Sequence, residues 1–208
     1  NIERLSSMDL REKLTPAILS YDGIAYQYMA PTVFETEMLS YVQEHLRILS
    51  GFYGIVRPMD GVTPYRLEMQ AKLEIDGAKN LYEYWGDRLY KEVRDSSGII
   101  INLASKEYSK CIEKYLQPGD RYISCNFYEE QEGKLVQKGV YCKMARGEMV
   151  RFMAENRVEE PEGIKDFAVM GYRYAKELSS EKEYIFVRIK GAVKKRPTKR
   201  PINLASAN

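Results

Sequence analysis

The chain has 208 residues, 44% hydrophobic and 30% charged, with a formal net charge of +2. That composition suits one domain with a buried core and excludes a disordered chain, which lacks the apolar surface to offset its ordering entropy. No apolar run approaches the roughly 18 residues of a membrane-spanning helix. The charge is also unevenly placed. From Arg188 to Asn208 there are seven basic residues and no acid, which leaves 25 basic against 30 acidic residues before them. Bulk charge therefore gives no support for whole-surface binding of nucleic acid, and any anion site in the body must come from local clustering.

Asn1-Ile2-Glu3-Arg4-Leu5 reads as the middle of an element, so the natural protein is expected to begin further upstream. Thr15-Pro16 is a candidate N-cap with proline at the first helical position. Ala17 to Tyr21 is a short apolar run closed by Asp22-Gly23, which predicts a buried strand. Apolar residues at 34, 38, 39, 42 and 46 predict a helix. Ile48 to Val56 reads as one strand whose glycines, Gly51 and Gly54, allow close approach of a backbone or ligand. Residues 59–70 read as a loop with turn chemistry at Pro58, Gly61 and Pro64.

Asn80 to Val93 is predicted helical, with Trp85 in the core. Gly98 to Leu103 is a buried strand, and Ser105 opens a helix to about Leu116. Residues 121–128 and 134–142 alternate around Glu132-Gly133, a hairpin signal. Lys143 to Val158 carries the most regular helical pattern. A tight turn and short helix follow over 159–168, then strands at 172–174 and 184–189. Strands and helices mix without strict alternation. The class is α+β (mixed α/β), one domain over 1–190 with a mixed sheet flanked by helices, and a basic flexible tail over 191–208.

The familiar catalytic motifs are absent: there is no phosphate-binding G-x-x-x-x-G-K-[ST] loop, no G-x-G-x-x-G and no G-x-S-x-G elbow. Cys111, Cys125 and Cys142 are odd in number and widely spaced, which fits buried thiols in a reducing compartment rather than a disulfide framework. The single histidine, His45, sits among Val42, Leu46 and Leu49 as a core-edge residue. A metal site is not expected from so scattered a set, and no cofactor is implied. Any chemistry falls to carboxylates, lysines, backbone amides or some of the seventeen tyrosines.

Two segments concentrate candidate residues. On a helical wheel of 143–158, Lys143, Arg146 and Arg157 fall close together beside Met149, Val150 and Met153, with Glu148 and Glu155 opposite. Arg146 inside an apolar stripe predicts either a structural ion pair or an anion-binding cleft. The loop from Arg57 to Met69 holds Arg57, Asp60, Tyr65, Arg66 and Glu68. Two arginines with an aromatic between them suit phosphate contact and base stacking. The alternative is an ordered loop tied by its own ion pairs, such as Arg57 with Asp60.

Several stretches resemble the YaaA family of bacterial peroxide-stress proteins. They are Leu46-Arg47-Ile48-Leu49-Ser50-Gly51-Phe52-Tyr53-Gly54-Ile55-Val56-Arg57-Pro58-Met59-Asp60 and Pro64-Tyr65-Arg66-Leu67-Glu68-Met69. Asn80-Leu81-Tyr82-Glu83-Tyr84-Trp85-Gly86-Asp87 and Ile101-Asn102-Leu103-Ala104-Ser105-Lys106-Glu107-Tyr108 follow. Lys143-Met144-Ala145-Arg146-Gly147, Glu155-Asn156-Arg157 and Gly171-Tyr172 complete the set, in the family's order and covering about residues 15–190. The family has a further N-terminal portion not present here. The resemblance implies a cytoplasmic protein that limits peroxide damage by lowering free iron. It also implies DNA binding through a basic cleft and a helix-hairpin-helix element, placed by similarity at 143–158, 159–163 and the short helix after it.

Three functions are weighed. In the first, Arg57, Arg66, Lys143, Arg146, Arg151 and Arg157 contact the phosphates of duplex or distorted DNA, with no membrane and no obligate protein partner. In the second, the chain is an enzyme acting on a nucleobase or nucleotide. Ser50, Gly51, Tyr53 and Gly54 then approach the substrate, Tyr65 stacks on a base, and Glu68 or Asp87 acts as acid or base, with Asn102 and Ser105 in the same pocket. In the third, carboxylates sequester iron. The first is preferred, and a non-catalytic role with it.

Overall fold

Strand β6 (Arg121–Gln131) is the spine of the molecule, and its residues alternate between a buried and a half-exposed face. The computed structural model describes residues 14–189; the basic tail expected at 191–208 lies outside them. β6 runs parallel to β5 (Ile99–Asn102) and to β9 (Glu183–Arg188). β8 (Tyr172–Tyr174) pairs antiparallel with β9, and β7 (Lys134–Val136) pairs antiparallel with the end of β6. The sheet order is β5-β6-β9-β8, so the sheet is mixed and the α+β class holds.

One long helix, α7 (Gly139–Asn156), lies against this sheet. Cys142, Ala145 and Met149 recur at the i, i+3, i+7 spacing of one helical face. They pack on Ile123, Cys125 and Phe127 of β6 with Phe167, Tyr172, Tyr184 and Phe186. Val150 and Ala154 face the other way, into a second cluster with Ile18, Met29, Phe34 and Val42. That cluster is supplied by α1 (Ala17–Ser20), α2 (Ile24–Met29) and α3 (Thr36–His45). The helix is thus buried on opposite sides, and Glu148, assigned to the polar face by the wheel, is 6% exposed. Gly147 makes the contact with α2 possible: a Cβ there would lie 1.9 Å from the carbonyl oxygen of Ala25.

Three smaller helices, α4 (Leu81–Trp85), α5 (Arg88–Val93) and α6 (Lys106–Glu113), gather Met69, Leu81, Leu89, Tyr90, Ile100, Cys111 and Ile112 into a third cluster. A hairpin, β2 (Ile48–Ser50) with β3 (Gly54–Val56), connects it to a fourth, where Ala17, Ile48, Val56 and Val62 meet. The last strand pair is short: β1 (Thr15–Pro16) against β4 (Gly61–Val62).

Several sequence expectations are corrected. Ala17–Ser20 is a helical turn and not a strand, because its amides at 17 and 18 are taken by the carbonyls of Asp60 and Pro58 and no strand pairs with it. Residues 48–56 are a hairpin rather than one strand; Gly54, at φ +78, turns the chain back. The helix expected over 80–93 breaks at Gly86, whose φ of +56 ends α4. Strand character after Glu132-Gly133 stops at Val136, and residues 139–142 belong to α7. The α2 helix carries too few residues for a periodic signal and was not expected. Trp85 does pack in the core, its Nε1 donating to the Gly51 carbonyl at 3.1 Å.

Asp120 ties the α5 end to the start of β6. It accepts from the Tyr90 hydroxyl (2.6 Å), the Gln117 amide (2.7 Å) and Arg94 Nε (2.8 Å). These donors, Tyr90 first, hold its carboxyl at about 2 instead of 3.8. A depressed carboxylate stabilises the fold above its unfolded pKa and ceases to do so as pH falls towards its folded one. Asp120→Asn is therefore expected to lower Tm near neutral pH, with the gap from the parent protein closing between pH 4 and pH 2. Melting curves across that range check this, and a gap independent of pH contradicts it.

Candidate functional site

The β2–β3 hairpin and the loop after it build the densest polar cluster among the sequence candidates. Ser50, the last residue of β2, is 1% exposed. Its Oγ accepts the amide protons of Phe52 (3.1 Å) and Tyr53 (2.9 Å) and lies 2.5 Å from the Tyr65 hydroxyl. The Tyr65 hydroxyl is in turn 2.7 Å from that of Tyr21. Gly51 is required beneath, since a Cβ there would come within 2.7 Å of the Leu67 carbonyl oxygen. Gly54 is pressed on the Trp85 ring in the same way. Tyr53 is used structurally: its hydroxyl accepts the Thr63 amide (3.0 Å) and meets Thr63 Oγ1 (3.2 Å).

The Tyr65 ring is not a free stacking platform. Phe52 stacks on it with centroids 5.2 Å apart, and Tyr53 and Tyr21 meet it nearly perpendicularly at 5.4 and 6.2 Å. What Tyr65 offers is its hydroxyl. Tyr21, absent from the sequence candidates, is brought in by α1 packing over the loop, and it stacks on Tyr26 at 5.3 Å. Burial, then the neighbouring Tyr65, pushes Tyr21 far above the usual phenol range. Tyr26 is raised by burial, then by Tyr65 and Tyr108. Tyr108 is pushed up to about 12, burial first, with Glu107 and Tyr65 adding to it. These phenols are proton donors at neutral pH.

The other pocket candidates serve local structure. Asn102 donates to Ser124 Oγ (3.1 Å) and accepts the Ala104 amide (2.9 Å). Ser105 stands at the start of α6 but makes no side-chain cap bond. Asp87 pairs with Lys91 at 2.6 Å. Glu68 is exposed on the loop.

Among the cation candidates, Arg57, Arg66, Lys143 and Arg157 are exposed, and no carboxylate pairs with any of them among the described residues. Asp60 accepts the backbone amide of Arg57 (2.7 Å) and makes no ion pair with its side chain. Arg57 has a guanidinium neighbour instead. Ile48 pairs with Val56, so Arg47 and Arg57 flank the open end of the hairpin; burial and then Arg57 depress the Arg47 pKa. Arg151 is neutralised by Glu155 at 2.7 Å. Among the described residues Arg146 is half-buried with no carboxylate partner, and its Nε is enclosed without a hydrogen bond. Its pKa is lowered by burial, with Cys142 opposing.

The turn after α7 begins with Arg157 in the left-handed conformation, φ +47. It leads to a 3-10 helix, Pro161–Asp166. A cleft of about 470 Å³ opens there, lined by Phe152, Asn156, Val158, Glu159, Glu160, Gly163 and Asp166. Three of these seven carry carboxylates, which repel phosphate. Among the described residues no three His, Cys, Asp or Glu side chains gather so as to hold a metal ion, and no helix is long and apolar enough to cross a membrane.

Comparison with known proteins gives a match to the family described as peroxide stress protein YaaA over residues 1–178. The chain belongs to the YaaA peroxide-stress family. It is 65% identical over 188 residues to a UPF0246 protein of Agathobacter rectalis, covering 90% of this chain and 76% of the relative. A UPF0246 protein of Desulfitobacterium hafniense is 56% identical over 90% of this chain and 75% of its own length. One from Lachnoclostridium phytofermentans is 53% identical over 94% and 77%.

In a peroxide-stress protein the thiols are the first groups to consider, because thiolates react with peroxide. All three are buried. Burial pushes Cys111 up to about 11 and Cys125 up to about 12, and it raises Cys142, whose Sγ donates to the Phe127 carbonyl at 3.3 Å. At neutral pH they are protonated and enclosed, the condition of inert cysteine. A disulfide reagent added to the native YaaA-family chain is expected to label none of them within minutes at pH 7.5, and all three after denaturation. Rapid labelling of one thiol in the folded protein overturns this.

Proposed function

We propose that this chain is a cytoplasmic DNA-binding member of the peroxide response that protects DNA from iron-driven damage. The observation that carries the DNA contact is the set of exposed guanidinium and ammonium groups that have no acidic partner among the described residues: Arg57, Arg66, Lys143 and Arg157. In a body with an excess of acids, four cations on family motifs that no described carboxylate pairs are a local anion-attracting feature. Arg146 adds a half-buried guanidinium with no carboxylate partner among the described residues, although its enclosed Nε is not itself open to a phosphate. Arg151 is a minor contributor, held by Glu155. The helix-hairpin-helix role falls to α7 and the turn after it, to which Arg157 contributes the cation, while Glu159, Glu160 and Asp166 keep phosphate off the adjoining cleft. The limitation of free iron follows from the family and not from a ligand set in this chain. Fluorescence anisotropy with duplex and bubble DNA over a salt series tests the proposal, and absence of binding at low salt counts against it.

A second reading, an enzyme acting on a nucleobase or nucleotide, is favoured by one observation. A nearly inaccessible serine places its hydroxyl 2.5 Å from a tyrosine hydroxyl that also meets a second tyrosine. Incubation with modified oligonucleotides, read by mass spectrometry, tests it: an altered mass in any strand supports catalysis, and unaltered strands throughout reject it.

A further inference from the structure

Strand β9 is apolar on both of its faces. Tyr184 and Phe186 are buried in the core under α7. Ile185 and Val187 alternate with them and share the opposite face, with Ile189 one step further on. A strand that runs parallel to its neighbour and is apolar on both faces is normally sandwiched between two layers. Here the second layer is incomplete. The third cluster, built by α4, α5 and α6, reaches that face only at β5 and the start of β6, where Ile100 and Tyr122 lie side by side. Beyond it Tyr128, Ile185 and Val187 are half-buried, and Leu135 and Ile189 are exposed. None of the five belongs to a core cluster.

The charges on this face narrow what covers it. The register that sets Tyr128 beside Val187 sets Glu130 of β6 beside Ile189, one position beyond the Glu129–Arg188 pair. On the other flank of β9, Arg173 of β8 lies beside Val187. One exposed acid thus stands a strand away from β9 on one side, and one exposed base a strand away on the other. Neither has an ion-pair partner among the described residues, where Arg173 donates to the carbonyls of Ala168 and Tyr172. A two-fold axis lying in the face and crossing β9 between Val187 and Ile189 exchanges the two charged positions. The surface is therefore complementary to itself: apolar at the axis, with opposite charges at positions that the axis brings together.

We propose that the face of β7, β6, β9 and β8 turned away from α7 is the contact surface of a homodimer, in which a second copy of this chain packs its own β9 face on the first and each Arg173 meets the partner's Glu130. The inference does not rest on the nucleic-acid reading above. The face spans about 15 Å across its four strands and about 20 Å along them. That is below the roughly 800 Å² per partner of a standard interface. The dimer is therefore transient, with a Kd on the order of 10–100 µM.

Sedimentation velocity of the full 208-residue chain, from a few to several hundred micromolar at physiological salt and without nucleic acid, tests this. The sedimentation coefficient is expected to rise with concentration from that of a monomer to that of a dimer. Glu130→Arg and Arg173→Glu are each expected to raise Kd at least about tenfold, because each sets like charges against one another at two symmetric places. The two substitutions together restore opposite charges and are expected to bring Kd back to near the parent value. Both positions are exposed, and an unaltered Tm certifies the fold of each variant. A monomer across the whole range overturns the proposal. So does association that both single substitutions leave unchanged, which places the contact on another surface. Loss of the dimer in the single variants with no recovery in the combined one overturns the pairing of Arg173 with Glu130, and the two-fold arrangement with it.

Discussion

Gly147→Ala is expected to destabilise the protein by about 2–4 kcal/mol, the largest stability effect of any single methyl addition here. The added carbon would stand 1.9 Å from the Ala25 carbonyl oxygen and 2.8 Å from the Ala25 carbonyl carbon and the Met29 nitrogen. All three atoms are backbone, so no side chain can swing aside. Relief requires α2 to move away from α7, which opens the cluster where Met29 meets Val150 and Ala154. Alanine's better helix propensity returns at most about 1 kcal/mol. For a domain of this size the net loss corresponds to a Tm lower by roughly 5–15 °C. Gly139→Ala, in the first turn of the same helix with nothing within 4 Å of the new carbon, is the control and is expected to leave Tm within a few degrees. Chemical denaturation of both variants gives the comparison. Equal stability of the two would mean that α2 and α7 do not meet at Gly147.

Duplex DNA affinity is expected to fall by about a hundredfold between 50 and 200 mM salt. If the four exposed cations Arg57, Arg66, Lys143 and Arg157 each neutralise one phosphate, counterion release gives a slope of about −3.6 in log affinity against log salt. Arg57→Ala with Arg66→Ala removes two of the four, and the slope is expected to shrink to about −1.8, alike for different duplex sequences, since phosphate contacts carry no sequence information. Arg151→Ala is expected to change the slope little, because its guanidinium is spent on Glu155. A slope near zero for the parent protein would remove the electrostatic basis of the assignment. An unchanged slope in the double variant would move the contact away from the 57–66 loop.

Gly147 and Arg151 also mark what a linear reading misses. On a wheel, Gly147 is merely a weak helix former and Arg151 an available cation. The role of Gly147 comes from Ala25, far away in the chain, whereas the partner of Arg151 is Glu155, at the i+4 spacing that the sequence itself displays. Tyr65 was legible as a candidate from its motif, but as a stacking platform. Phe52 occupies that position, and the Tyr65 hydroxyl is engaged by those of Ser50 and Tyr21. Tyr21 carried no signal of its own, since one tyrosine among seventeen has no distinguishing neighbour until α1 folds over the loop.

The sequence by itself determined the class of the fold and the longer elements. Alternation in 121–128, helical spacing in 36–45 and 143–156, and turn residues at Glu132-Gly133 are local patterns, enforced by backbone geometry over a few residues. It also determined the family, because several long motifs recur in order. Only the tertiary structure decided that Ala17–Ser20 is helical, that residues 80–93 break at Gly86, and which cations stay free. The first depends on the distant carbonyls of Asp60 and Pro58, the second on the left-handed backbone that Gly86 adopts, and the third on which side chains the fold brings into reach. Short-range periodicity carries no information about partners forty or more residues away, such as the Asp60 and Pro58 carbonyls that take the amides of Ala17 and Ile18, or the Tyr21 hydroxyl that meets Tyr65.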